Sequence, residues 1–315
     1  MPNPILSVQN LTKCFGKHIV INNVSFDVYE GEVFGILGPT DSGKSALLRA
    51  VIGSLVPSNG NIVVNEFNYK NDFIKAIQYV NGYITLPKLY RNMSGISNMK
   101  IFTSLRGNYS NEVLMNVAKI VEIDHLLKNK VKTYTISEKQ KLCIAISIAT
   151  NPKIIIMDDP FVGLNSQESK NLQDLIKLLA KKYKIAFILS SQMLGVMEKI
   201  CDTIAIINNG SIIEIRSIES LIRESVGDQK IAFTVDYPNF AGKIILNEFN
   251  CKVMLCGNKV LAYLPETKKD KVFERLTSYK VNIFNVETIN KSLESLLDEV
   301  LKQKAMNKSW IEEYN

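Results

Sequence analysis

Histidine is scarce: the chain has two, His18 and His125. They stand far apart without a Ser, Cys or metal-spaced partner, so they read as surface or packing side chains rather than parts of a catalytic triad or metal cage. Cysteine supplies no framework either. Cys14, Cys143, Cys201, Cys251 and Cys256 are an odd, scattered set and read as reduced packing residues of a cytosolic chain. No window approaches the roughly 18 uninterrupted apolar residues of a membrane-spanning helix. The most apolar run, Ile154-Ile155-Ile156-Met157, is cut off at once by Asp158 and Asp159. Met1 to Gln9 lacks a basic leader followed by an apolar core, so a secretory signal is not expected. Internal repeats and low-complexity tracts are missing too.

What is present is a globular composition: 46% apolar and 22% charged residues among 315, with 9 Pro and 16 Gly. Such a chain is not disordered, collagen-like or a disulfide-stapled miniprotein, and its length suits about two domains. The net charge of +7 admits an anionic partner without naming one.

Residues 5 to 30 alternate apolar and polar side chains, as half-buried antiparallel strands do. After Gly31-Glu32, Val33 to Leu37 has the length of a buried parallel strand, and Ser45 to Ser54 reads as a helix. Residues 85 to 150 carry helical spacing (Val113, Val117, Ile120 and Val121; Leu142, Ala145, Ile146 and Ala149). Ile154–Met157, Ile185–Leu189 and Ile204–Ile207 are further buried strands, and Leu172–Tyr183 is an amphipathic helix with a basic face. Strands alternating with helices predict an α/β fold, a mostly parallel sheet with helices on both faces. Near Ser217 to Gly227 the pattern changes. Short strands at Ile231–Val235, Val253–Leu255, Val260–Leu264 and Val281–Phe284, with helices near Lys268–Tyr279 and Asn290–Lys304, predict a small α+β extension. The expected division is 1–222, 223–305 and a fraying tail, 306–315.

Gly38-Pro39-Thr40-Asp41-Ser42-Gly43-Lys44-Ser45 fits the phosphate-loop pattern G-x-x-x-x-G-K-S/T, after a buried strand and opening a helix. The glycines let backbone N–H groups wrap a phosphate, and the helix N-terminus adds a favourable dipole. Lys44 supplies a point charge to the β/γ oxygens and Ser45 a hydroxyl for Mg²⁺. Asp158 then ends a buried strand at its C-terminal tip, the edge where open α/β sheets bind ligands, and is the second candidate Mg²⁺ ligand.

These residues resemble the ATP-binding subunit of an ABC transporter over about residues 4 to 220. Phe15 stands where that family has an adenine-stacking aromatic, and Gly38 to Ser45, continued by Ala46, is its Walker A loop. Tyr134-Thr135-Ile136-Ser137-Glu138-Lys139-Gln140 occupies the signature position. Asp158-Asp159-Pro160 matches the acidic strand end plus the catalytic position, Gly163-Leu164-Asn165 the D-loop and Ser190-Ser191-Gln192 the switch. The extension resembles the bacterial branch exporting multidrug, lantibiotic and bacitracin substrates. The resemblance implies a P-loop core with a helical subdomain and MgATP sandwiched between two such subunits. It also implies a polytopic membrane permease as partner, at the cytoplasmic face of the membrane. Thr135 and Ser137 would face the other subunit's γ-phosphate, and Leu89 to Ser94 would touch the permease.

The departures from the family cluster on hydrolysis. The general-base glutamate is Asp159, one methylene shorter, and the switch histidine is Gln192, which carries no proton. The Q-loop residue falls near Thr85 or Leu86. Ser137 and Glu138 stand where glycine and a neutral residue are usual, and the D-loop aspartate is Asn165. ATP binding with weak turnover is therefore expected, with either a second copy or an intact heteromeric ATPase as partner. A soluble regulatory module acting on nucleic acid or the ribosome is the competing class. The chain has one core, with neither the charged linker of ribosome-acting members nor the coiled-coil insertion of DNA-repair members. Its lysines at 177, 181, 182, 184, 268, 269 and 271 read as solvated helix faces, so no nucleic-acid partner is expected.

Overall fold

The computed structural model describes residues 3–84, 89–107, 109–221 and 229–289. Thr85, Leu86, the expected helix at 290–304 and the tail lie outside the described residues. Two compact units part between Arg216 and Ser217.

In the first unit, β1 (Leu6–Phe15) and β2 (His18–Val28) form an antiparallel hairpin in which inward residues such as Leu6, Leu11, Val24 and Val28 are wholly buried. β3 (Val33–Leu37) follows and is buried at every position, and α1 (Lys44–Val51) begins inside the phosphate loop. β4 (Asn59–Val64) and β5 (Phe67–Asn68) complete a four-stranded sheet in the order β2-β1-β4-β5. α2 (Tyr69–Ile77) leads to β6 (Val80–Tyr83). The helical subdomain is α3 (Gly95–Ser104), α4 (Asn111–Ile120) and α5 (Ile136–Ala149). The chain then alternates: β7 (Ile154–Met157), α6 (Ser166–Tyr183), β8 (Ala186–Ser191), α7 (Leu194–Ile200), β9 (Thr203–Asn208) and β10 (Ser211–Ser217). The second sheet runs β10-β9-β3-β8-β7-β6, and β3, β6, β7, β8 and β9 pair in parallel. One core joins the two sheets through α1: Ile21, Phe26, Ile36, Leu47, Leu48, Ile62, Ile156 and Ile188 all belong to it. This is the expected mixed P-loop architecture.

Details differ from the sequence-based expectation for physical reasons. α6 begins at Ser166 rather than Leu172 because Asn165 caps it: the Asn165 side chain accepts the Glu168 N–H and the Glu168 carboxylate accepts the Asn165 N–H. α4 buries Leu114, Val117 and Ala118, and Val121 follows into the core; of the predicted stripe Ile120 is half-buried and only Val113 is exposed. α2 is an element the sequence reading lacked: Tyr69, Phe73, Ala76 and Ile77 lie at helical spacing, but the helix is short and its dihedrals break at Asp72.

The second unit is built from β11 (Gln229–Val235), α8 (Pro238–Phe249), β12 (Val253–Cys256), β13 (Lys259–Leu264), α9 (Lys269–Ser278) and β14 (Ile283–Ile289). Its sheet order, β12-β13-β11-β14, with helices after the first and third strands, is the ferredoxin-like split βαβ arrangement. Ile231, Phe233, Ile245, Val260, Val272 and Leu276 form a separate core. α8 is an element the sequence reading lacked, although Pro238 in its first turn and Asn250 as a left-handed C-cap mark both ends. The last strand is Ile283–Ile289 rather than Val281–Phe284, since Lys280 turns the chain at φ 59° and Val281 enters the core before pairing starts.

Candidate nucleotide site

The loop from Gly38 to Ser45 leaves the C-terminal end of β3, a central strand, and turns into α1. Two glycines are structurally required. A Cβ on Gly38 would lie 2.3 Å from the Ile207 carbonyl oxygen, and Gly43 has φ +101° with the Val20 oxygen 2.7 Å from where a Cβ would stand. The loop is anchored from outside: Gly210 donates to Ser42 O at 2.9 Å, and Asn22 donates to Gly210 O at 2.8 Å. Gly210 closes the turn after β9, so the sheet fixes the loop at both ends.

Lys44 is buried, and its ammonium donates to Gly38 O at 2.8 Å and Pro39 O at 2.7 Å. Burial pushes its pKa down, against the pull of Asp159, Asp158 and Asp41. Ser45 is exposed in the first turn of α1, and Ala46 packs against the core beneath. The Ser42 hydroxyl is buried without a hydrogen-bond partner. Asp41 holds a left-handed conformation at φ 60° and is exposed on the loop, adding a carboxylate beside Lys44.

β7 lies two strands from β3, beyond β8, and delivers Asp158 and Asp159 to the same sheet edge. Ser190, at the end of β8, donates its hydroxyl to Asp158 Oδ1 and accepts the Asp159 N–H at 3.0 Å. Burial raises the Asp159 pKa; neighbouring Asp158 adds to this, while Lys44 and the Gln192 N–H oppose it. Gln192 also reaches the phosphate loop, for its Oε1 accepts the Thr40 hydroxyl at 3.2 Å. The sequence-predicted Gly38–Ser45, Asp158, Asp159 and Gln192 are thus brought together. A hydroxyl on Ser45 and a carboxylate on Asp158 are hard oxygen donors, and they suit Mg²⁺, which takes one or two carboxylates alongside substrate phosphates.

Phe15 lies apart, at the end of β1, half exposed with the Lys13 ammonium 5.0 Å from its ring centroid. Thr135 and Ser137 are at the N-terminus of α5, where a capping box forms: Thr135 Oγ1 accepts the Glu138 N–H at 3.2 Å, and Glu138 Oε2 accepts the Thr135 N–H at 2.7 Å. Gln140 joins this helix to the acidic loop by donating to Pro160 O at 2.5 Å. His18 and His125 are both exposed. Three connections escaped the sequence reading: Ser190 to both aspartates, Thr40 to Gln192, and the Gly210 turn to the loop. All link residues distant in the chain, so no local spacing announces them.

A phosphate loop between a central parallel strand and its helix, faced by an acidic strand tip, defines a P-loop ATP-binding cassette. The model of the ABC transporter family matches residues 21–162. YhcH, an ABC transporter ATP-binding protein of Bacillus subtilis (strain 168), is 30% identical over 291 residues, 92% of this chain and 93% of that protein. The chain belongs to this family, the ATP-binding ATPase proteins of ABC transporters. It is also 29% identical over 238 residues to the bacitracin transport ATP-binding protein BcrA of Enterococcus faecalis, covering 72% of this chain and 76% of that one. A crystal structure of a nucleotide-free ATP-binding cassette from an ABC transporter superposes with a TM-score of 0.65 at 22% identity, over 70% of this chain and 94% of that chain.

Proposed function

We propose that this chain is the energy-coupling subunit of an exporter, binding MgATP and driving a separate polytopic permease from the cytoplasmic face of the membrane. The observation that carries the reading is the anchored loop 38–45 facing Asp158 and Asp159. In this reading Gly38 to Ala46 wrap the phosphates, Lys44 exchanges its two carbonyl partners for phosphate oxygens, and Phe15 stacks on the adenine. Ser45 and Asp158 hold Mg²⁺, which neutralises phosphate charge when bound. Asp159 and Gln192 stand at the attacking-water side. The names of similar proteins, among them BcrA and the lantibiotic transport ATP-binding protein SrtF of Streptococcus pyogenes (30% identical over 209 residues), favour an exporter of antibiotic peptides. Among the described residues no helix is long and apolar enough to cross a membrane, so a separate chain would form the path.

The permease contact is placed on Leu89 to Ser94, where Tyr90 and Met93 are exposed and Tyr90 lies 6.0 Å from the Phe102 ring. The Glu138 carboxylate, folded onto the N-terminus of α5, opposes a phosphate arriving from a second subunit, as does the Cβ that Ser137 adds. Together with Asp159 and Gln192 this favours pairing with a different, intact ATP-binding subunit over pairing with a second copy. Affinity purification from detergent-solubilised membranes is expected to recover a polytopic membrane protein and a second ATPase. Recovery of the chain alone, or with nucleic acid that dissociates steeply with salt, would contradict the proposal.

A further inference from the structure

Ser190 is wholly buried at the end of β8, and its neighbour Ser191 is nearly so. The β7–β8 ladder ends at the Met157–Leu189 pair, so main-chain pairing between these strands stops just before Asp158. The Ser190 hydroxyl continues the connection where the backbone does not. It gives its proton to Asp158 Oδ1 and takes the Asp159 N–H at 3.0 Å, holding a carboxylate oxygen of the first aspartate and the backbone of the second. Asp159 sits in the left-handed region at φ 44°, a conformation that needs such a restraint.

We propose that Ser190 is a positioning residue for the metal–nucleotide site: by engaging Oδ1 it fixes the orientation of the Asp158 carboxylate, which would hold the cation. The claim rests on the MgATP reading above. Partners of a ligating group commonly change metal affinity by about 10–100-fold when removed, because the ligand must then be ordered by the ion itself. Ser191 makes a useful contrast. It is nearly as buried, but its hydroxyl oxygen accepts the Met193 N–H at 3.0 Å and makes no bond to either aspartate.

The test is a Mg²⁺ titration of a fluorescent ATP analogue bound to the full chain, comparing wild type with Ser190→Ala, Ser190→Thr and Ser191→Ala. Ser190→Ala is expected to need roughly tenfold more Mg²⁺ for half-saturation, with nucleotide affinity in the absence of Mg²⁺ unchanged. Ser190→Thr, which keeps the hydroxyl, restores the wild-type midpoint, and Ser191→Ala leaves it in place. A wild-type midpoint in Ser190→Ala, or an equal shift in Ser191→Ala, overturns the proposal. If wild type binds the analogue without regard to Mg²⁺, the MgATP reading falls and the proposal with it. Mg²⁺ dependence in wild type with none of the shift in Ser190→Ala removes the positioning role alone.

Discussion

Asp159 is the residue on which the proposed chemistry turns. Its carboxyl is raised above the usual carboxylate range by burial and by Asp158, and the nearby Lys44 does not cancel the effect. A carboxyl whose pKa is raised on folding destabilises the fold once it ionises; the folded state is favoured at low pH and loses that advantage as the pH rises through the folded pKa. Asp159→Asn is therefore expected to raise the melting temperature at pH 7 by a few degrees at most, since partial exposure screens the charge. The gain should shrink as the pH falls towards about 4, where the unfolded carboxyl also protonates. Asn tolerates the left-handed backbone as Asp does, so the change isolates the charge. Thermal melts at the two pH values check the sign; a gain that grows on acidification would contradict it. At this scale the sequence was most informative where one short motif carries the chemistry. Gly38 to Ser45 and Asp158 were legible because phosphate binding needs those residue types at that spacing. The Thr40–Gln192 bond was not, because it spans 152 residues and only the sheet order brings its ends together.

Among the elements, the segment before α3 depends on one buried amide. Asn98 has no exposure; its Oδ1 accepts the Tyr90 N–H at 2.7 Å, and its Nδ2 donates to Tyr90 O at 3.1 Å and Ser94 O at 2.9 Å. It thereby shapes the stretch proposed above as the permease contact. Asn98→Ala leaves the Tyr90 N–H without its partner and is expected to cost about 1–3 kcal/mol of stability, read from the denaturation midpoint, and to reduce permease co-purification. A midpoint equal to wild type would contradict the role. Buried strands such as β3, β7 and β8 were readable as uninterrupted apolar runs, since parallel strands are covered on both sides. α2 was harder to read: Tyr69, Phe73, Ala76 and Ile77 keep helical spacing, but the helix is short, buries only Ala76 fully and breaks its helical dihedrals at Asp72. α8 carried an amphipathic period, in Ala241, Ile244 and Ile245, but it was hidden inside a region read for its strands.

For the whole molecule, two compact units each carry a core of their own. The first unit holds every candidate nucleotide residue, and the described part of the second has a ferredoxin-like core with no metal-type cluster among the described residues. A triphosphate at Lys44, as proposed, would account for only part of the net charge of +7. The central claim is that this cassette binds MgATP through loop 38–45 yet turns it over slowly on its own, because Asp159, Gln192 and the self-capped end of α5 replace a working hydrolytic set. Phosphate release from wild type saturated with MgATP, set against Lys44→Ala, tests it most directly. The account predicts saturable binding lost in Lys44→Ala, with release by wild type close to that variant's background. Steady release on the order of 1 per second or faster, the range of ordinary enzymes, abolished by Lys44→Ala, would contradict it.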